Sequence, residues 1–235
     1  MPPKPRHRPA PKNAVREADP VRASAPVTAA LSLPDRDLLA AFLGRVAGGP
    51  SATAAADAER ALAVLGGFRG LVSASQDAFC ALPGMGPAGF ARLHTALEIA
   101  RRALAEEMRH GPALERPEHV QDYLKLWLLD RGHEVFCVLF LDGRHRLIVA
   151  EELFRGTLTQ TAVYPREVVR RALQVNAAAL VFVHNHPSGA AAPSAADEQL
   201  TLELRRALAL VDVRVLDHCI VAGPRVYSFA AHGLI

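Results

Sequence analysis

The sequence predicts an α+β protein: a mixed β-sheet with flanking helices, preceded by a small all-α domain and a disordered basic tail. Three observations carry this reading. Apolar residues recur at helical spacing from Leu31 to about Arg109. After Arg131 the texture changes to short apolar runs that alternate with amphipathic helices. The first 30 residues have no apolar period at all. The chain therefore divides into residues 1–30, 31–109 and 110–235, and its length suits one good-sized core with a smaller satellite.

Residues 1–30 are rich in Pro, Ala and charge, and bury too little to offset the entropy of ordering them. The helical region reads as DRDLLAAFLGRV, AAADAERALAVLGGF, SQDAFCAL and AGFARLHTALEIARRALAEEM, with Gly and Pro between them. HGPALERP is a linker, and HVQDYLKLWLLDR a helix leading into the second domain. There EVFCVLFLD and HRLIVAEELF are two strands joined by a turn at Asp142-Gly143, and GTLTQTAV is a third extended piece. Pro165 opens a helix, PREVVRRALQVN, with one apolar face. AALVFVHNHP is apolar enough to be a central strand. A helix from about Ser194 and the strands VRVLDHCIVAG and RVYSF complete the sheet.

The sequence pI is about 9.0, but the excess charge sits in the tail. Residues 1–30 hold six basic side chains (Lys4, Arg6, Arg8, Lys12, Arg16, Arg22) against Glu17 and Asp19, whereas residues 110–235 hold thirteen basic and fourteen acidic. Basicity therefore says little about partners of the folded body, and a metal-dependent nuclease with a basic groove is disfavoured. Cys80, Cys137 and Cys219 are odd in number and far apart, so they read as buried free thiols of a reducing cytoplasm. No apolar run reaches the length of a membrane span, and no membrane partner is expected.

The chemistry concentrates between His184 and Asp197. Alternate residues of a strand point the same way, so His184 and His186 present both imidazoles to one side at a strand's C-terminal end. Eleven residues after His186, Asp197 falls in the first turn of the next helix, where it can fold back as a carboxylate ligand. Two histidines and an aspartate match the three protein ligands of a catalytic zinc site, which leaves a fourth position for water. Taken singly, each histidine is a surface or core residue. The letters HNH also name a nuclease motif, but its residues are dispersed, and here they are contiguous.

HNHPSGAAAPSAAD resembles the JAMM motif of JAB/MPN metallopeptidases: His-x-His, ten residues, Asp, with Ser three before the Asp. PREVVRRAL, NAAALVFVHNHPSG, PSAADEQLT and VLDHCIV resemble the RadC branch of that superfamily, and the likeness runs over about residues 31–235. It implies a JAB/MPN, cytidine-deaminase-like sheet, one zinc ion per chain on His184, His186 and Asp197, and an upstream glutamate as general acid/base. Glu134, Glu151 and Glu152 are the candidates. Glu134, 50 residues before His184 at the head of an apolar strand, falls where the family pattern puts it. Cys137 departs from that pattern, since many relatives carry Gly there.

Zinc lowers the pKa of water from ~16 toward ~7, and a carboxylate must then move the proton to the leaving amine. The resemblance gives that work to Glu134 and makes Ser194 a donor to the developing oxyanion; Ser194 is equally suited to cap the following helix. Asp217 and His218, in VLDHCIV, are candidates to orient a zinc ligand, or simply cap a strand end. In LPGMGPAGFARL, Gly84 and Gly86 form a turn resembling a helix-hairpin-helix module, which binds phosphate without reading bases; a turn that only packs is the alternative. The expected partners are a peptide or protein substrate and, through hairpin and tail, non-specific DNA. The competing reading is a non-enzymatic DNA repair or recombination protein whose metal is structural.

Overall fold

The computed structural model describes residues 32–43, 52–113, 116–129, 131–156 and 163–235. The tail expected over residues 1–30, and most of the extended piece expected in GTLTQTAV, lie outside the described residues.

Helices come first: α1 (Asp35–Phe42), α2 (Ala52–Leu65), α3 (Gly67–Ser73), α4 (Gln76–Cys80) and α5 (Pro87–His110). They close on Leu39, Ala61, Leu71, Phe79 and Leu93. Ser75 starts α4 by accepting a hydrogen bond from the Ala78 N–H at 3.2 Å. Pro87 starts α5 in the first turn, where its missing N–H forfeits no intrahelical bond. Leu93, near the start of α5, packs in this helical cluster, while Ala105 and Met108 in its last turns join the core of the sheet. One helix thus belongs to both cores. No described helix is long and apolar enough to cross a membrane.

After α6 (Pro117–Trp127) come β1 (Val135–Leu141), β2 (Leu147–Arg155), α7 (Pro165–Gln174), β3 (Ala179–Asn185), α8 (Ala195–Ala209), β4 (Arg214–Ala222) and β5 (Arg225–Ser228). The strands form one sheet in the order β2-β1-β3-β4-β5. β1 runs antiparallel to β2 and β3, β3 parallel to β4 across α8, and β4 antiparallel to β5, so the sheet is mixed as expected. β1 and β3 are buried along their whole length because helices cover both faces. Residues of α5 and α6, including Met108, Tyr123 and Leu124, pack with the odd-numbered residues of these strands. Val168 and Ala172 of α7 and Leu204 and Leu208 of α8 pack with the even-numbered ones. Double coverage is why VFCVLFL and ALVFV read as unbroken apolar runs. Each fully buried Leu or Phe here stabilises the fold by about 1.5–3 kcal/mol.

Two local features fix the register. The β1–β2 turn is clasped by Asp142, which accepts from the Arg144 and Arg146 N–H groups at 2.8 and 2.9 Å. The Arg146 N–H first, then the Arg146 guanidinium at 2.8 Å and the Arg144 N–H, hold its carboxyl at about 2. In β4, Val215 pairs with Leu180 but Asp217 pairs with Val181, so Leu216 is an extra residue that bulges the strand.

Candidate metal centre

Strand alternation decides where the His-Asn-His run points. His184 continues the even-numbered face of β3 beyond Phe182, His186 follows on the same side, and Asn185 turns to the opposite face. α8 starts next to this strand end, and its first turn brings in Asp197. His184 Nε2 lies 2.9 Å from His186 Nε2 and 3.3 Å from Asp197 Oδ1, and His186 Nε2 lies 3.7 Å from Asp197 Oδ2. The side chains are largely covered, 3 %, 17 % and 13 % exposed in the order His184, His186 and Asp197.

This donor set fits a divalent cation. His186 Nδ1 is 2.7 Å from the Ala190 carbonyl, which can only accept, so the ring proton sits on Nδ1 and Nε2 carries a lone pair. His184 Nε2 faces the same point. Two ring nitrogens and a carboxylate turned on one another at these distances are a group that could hold a metal ion. Asp197 is kept ionised there. Burial opposes its charge, and the Ser194 N–H and hydroxyl, both donating to Oδ2, favour it.

Ser194 is the N-cap of α8. Its hydroxyl donates to Asp197 Oδ2 at 2.7 Å and accepts from the Asp197 N–H at 3.2 Å, while its own N–H donates to the same carboxylate oxygen at 2.7 Å. This capping box turns a helix start into a bracket for the ligand carboxylate.

His218 and Asp217, adjacent in sequence, part company. His218 is fully buried among Phe136, Phe182 and Phe229, with its Nε2 2.8 Å from His184 Nδ1 and its Nδ1 2.6 Å from Thr201 Oγ1. Burial above all, then the neighbouring His184, pushes its pKa well down, so it is neutral. Asp217 faces the other way and has no hydrogen bond with an imidazole side chain among the described residues. It accepts from Ser228 Oγ at 2.6 Å, the Ala230 N–H at 2.9 Å and the His218 N–H at 2.7 Å, fastening the turn after β5. The extra residue in β4 produces this split: Leu216 and Asp217 successively face the same side, and His218 returns to the metal side.

Glu134 immediately precedes β1. Extending the antiparallel register that pairs Phe136 with His184 by two residues brings Glu134 abreast of His186, on the even-numbered face. Its backbone carbonyl accepts from the Gly156 N–H at 2.9 Å, and its side chain has no hydrogen bond or ion pair with another described residue. The other two glutamates are engaged. Arg171 donates to Glu151 through Nε at 2.6 Å, and Glu152 pairs with Arg131 at 3.2 Å and Arg155 at 2.9 Å.

Two residues of the site escaped the sequence reading. Buried Asn185 accepts from the Val135 N–H at 2.8 Å and donates to the carbonyls of Arg131 and His133 at 3.2 and 3.0 Å, pinning the segment that carries Glu134. Thr201 touches His218. The signals were faint: one amide inside an apolar strand end, and one hydroxyl a helical turn after Asp197. Elsewhere, Gly84 has φ +76°, and a Cβ there would meet Asp57 Oδ2 at 2.6 Å, so only glycine fits this close approach. Gly86 is the extended N-cap of α5. All three cysteines are free, and burial pushes the Cys137 thiol up to about 12, which leaves it inert.

Residues 114–234 match a family model described as the RadC-like JAB domain. A UPF0758 protein of Nitrosomonas eutropha is 54% identical over 203 residues, 86% of this chain and 90% of its own. Its counterpart in Nitrosospira multiformis is 56% identical with the same coverage, and one in Nitrosomonas europaea is 54% identical over 206 residues.

Proposed function

We propose, from the premise that this chain belongs to the RadC family of JAB-domain proteins, that it is a zinc-dependent hydrolase of the JAMM type that cleaves a peptide or isopeptide bond. The observation that carries the reading is the meeting of His184 Nε2, His186 Nε2 and Asp197 at the end of β3.

Zinc held by His184, His186 and Asp197 supplies the Lewis acidity that makes a water nucleophilic at neutral pH. The remaining work falls to side chains. Glu134 takes the proton of the attacking water and returns it to the leaving amine, for which a carboxylate without a competing partner among the described residues is suited. Asn185 keeps the Glu134 segment in register. Ser194 donates to the oxyanion after turning its hydroxyl away from Asp197, a contribution whose loss commonly costs about 100-fold or more in rate. Three donors among the described residues, the number of a hydrolytic zinc site, support catalysis over a purely structural metal.

The test pairs metal content with hydrolysis of peptide and isopeptide libraries. One zinc per chain in wild type, absent in His186→Ala, together with turnover abolished in a Glu134→Ala protein that still holds zinc, is the expected result. Stoichiometric zinc with no turnover on any substrate would replace the hydrolase with the metal-scaffold reading. DNA is proposed as a second, sequence-independent partner of the basic tail and the Gly86-Pro87 helix start, although the Asp57 carboxylate beside Gly84 opposes a phosphate at the turn itself. Undiminished DNA affinity after deletion of residues 1–30 would remove the tail from it. Free thiols suit the cytoplasm as the place of action.

A further inference from the structure

We propose that Thr201 is a positioning residue: acting through His218, it fixes which nitrogen of His184 carries the proton and so leaves Nε2 free for the metal. The inference rests on reading His184, His186 and Asp197 as a metal centre, and it adds a proton order that the ligands alone do not specify.

The chain of contacts begins at a group that cannot donate. Thr201 Oγ1 lies 2.6 Å from the Asp197 backbone carbonyl, one turn earlier in α8. A carbonyl only accepts, and a hydroxyl has one proton, so that proton points to Asp197 and Oγ1 is left to accept. The neighbour at 2.6 Å on its other side is His218 Nδ1, which must therefore be N–H. A neutral imidazole carries one proton, so His218 Nε2 is an acceptor, and the group 2.8 Å from it, His184 Nδ1, is the donor. His184 Nε2 is then a lone pair directed at His186 Nε2 and Asp197 Oδ1, a meeting of acceptors that a cation between them would satisfy and that the opposite order would block.

The opposite order would reverse every link. Thr201 would donate to His218, two oxygens would face each other at 2.6 Å without a proton, and His184 would carry hydrogen on Nε2, where the metal belongs. His218 has no other way out: it is fully buried, walled by Phe136, Phe182 and Phe229, with His184 and Thr201 as its only side-chain hydrogen-bond partners among the described residues. Asp197 therefore acts at both ends, offering its carboxylate to the metal and its carbonyl to the far end of the relay. A partner one step behind a ligand histidine characteristically sets its tautomer in this way.

The experiment measures zinc Kd by chelator competition for wild type, Thr201→Ser and Thr201→Val. It also reads the imidazole nitrogen shifts of the metal-free proteins by 15N NMR, with thermal unfolding to confirm folding. Thr201→Val should weaken zinc about 10- to 100-fold and move His184 from a single Nδ1–H form to a mixture, whereas Thr201→Ser should keep both properties. Wild-type affinity and an unchanged spectrum in Thr201→Val would overturn the inference. So would an equal loss in Thr201→Ser, which would reduce the effect to packing. Failure of wild type to bind zinc would overturn the metal reading, while a metal-free wild type with His184 protonated on Nε2 would overturn the relay itself.

Discussion

Replacing Asn185 with Ala should separate the integrity of the metal site from the placement of Glu134. The side chain makes three hydrogen bonds to backbone, one accepted from Val135 and two donated to Arg131 and His133. A typical intramolecular hydrogen bond contributes ~1 kcal/mol net, so the loss of three should cost about 3 kcal/mol. For a domain of 150–250 residues each kcal/mol moves Tm by roughly 2–4 °C, which gives a fall of about 6–12 °C in metal-free protein by calorimetry. Released from its clamp, the 131–135 segment shifts Glu134, and a displacement of about 1 Å of a reacting group can cost ~100-fold in turnover. His184 and His186 point to the opposite face, so zinc stoichiometry should not change. A Tm within about 2 °C of wild type, on the same scale, would refute the clamp. Loss of zinc along with activity would refute the claim that Asn185 serves Glu134 rather than the ligands.

Zinc at 100 times its Kd should stabilise wild type by about 2.7 kcal/mol, seen as a rise in Tm, and should leave the Tm of His186→Ala unchanged. Ser194→Ala removes the cap of α8 and should cost ~1 kcal/mol by denaturant titration; a turnover loss of about 100-fold beyond that would mark the oxyanion role, and none would limit Ser194 to capping. Glu98 is held at about 2, below its usual 4.5, first by the Arg101 hydrogen bond and then by that of Arg102. The unfolded chain thus binds this proton more readily, so the stabilisation is full above about 4.5 and is lost as pH falls toward 2; Glu98→Gln should flatten the stability profile in that window.

Much of the sheet was legible because its causes are local. β1 and β3 read as apolar runs, α7 has its apolar face and its Pro at the first turn, and the His-x-His spacing places two imidazoles on one side whatever the rest of the fold does. Asp197 was legible because a helix start must follow the Pro/Gly/Ala loop. What was not legible depends on contacts far apart in the chain. Asn185 lies 52 residues from His133, and Thr201 lies 17 from His218, so neither partnership leaves a periodicity to read. The pair Asp217 and His218 shows the limit best. Both residue types suit support of a ligand, and only the extra residue at Leu216 decides which of them faces His184.

That extra residue makes a single dipeptide serve two ends of the molecule. Asp217 secures the closing turn at Ser228 and Ala230, and its immediate neighbour touches the ligand histidine, so slack in the closing turn is handed to the ligand through one peptide bond. Were Leu216 to take the place opposite Val181 and the bulge to close, their stations would be exchanged, setting a carboxylate among Phe136, Phe182 and Phe229 and leaving an imidazole to hold the turn. Loss of the bulge with all residues kept would therefore be an error of phase rather than of length, and it would be felt at the ligands and at the closing turn together.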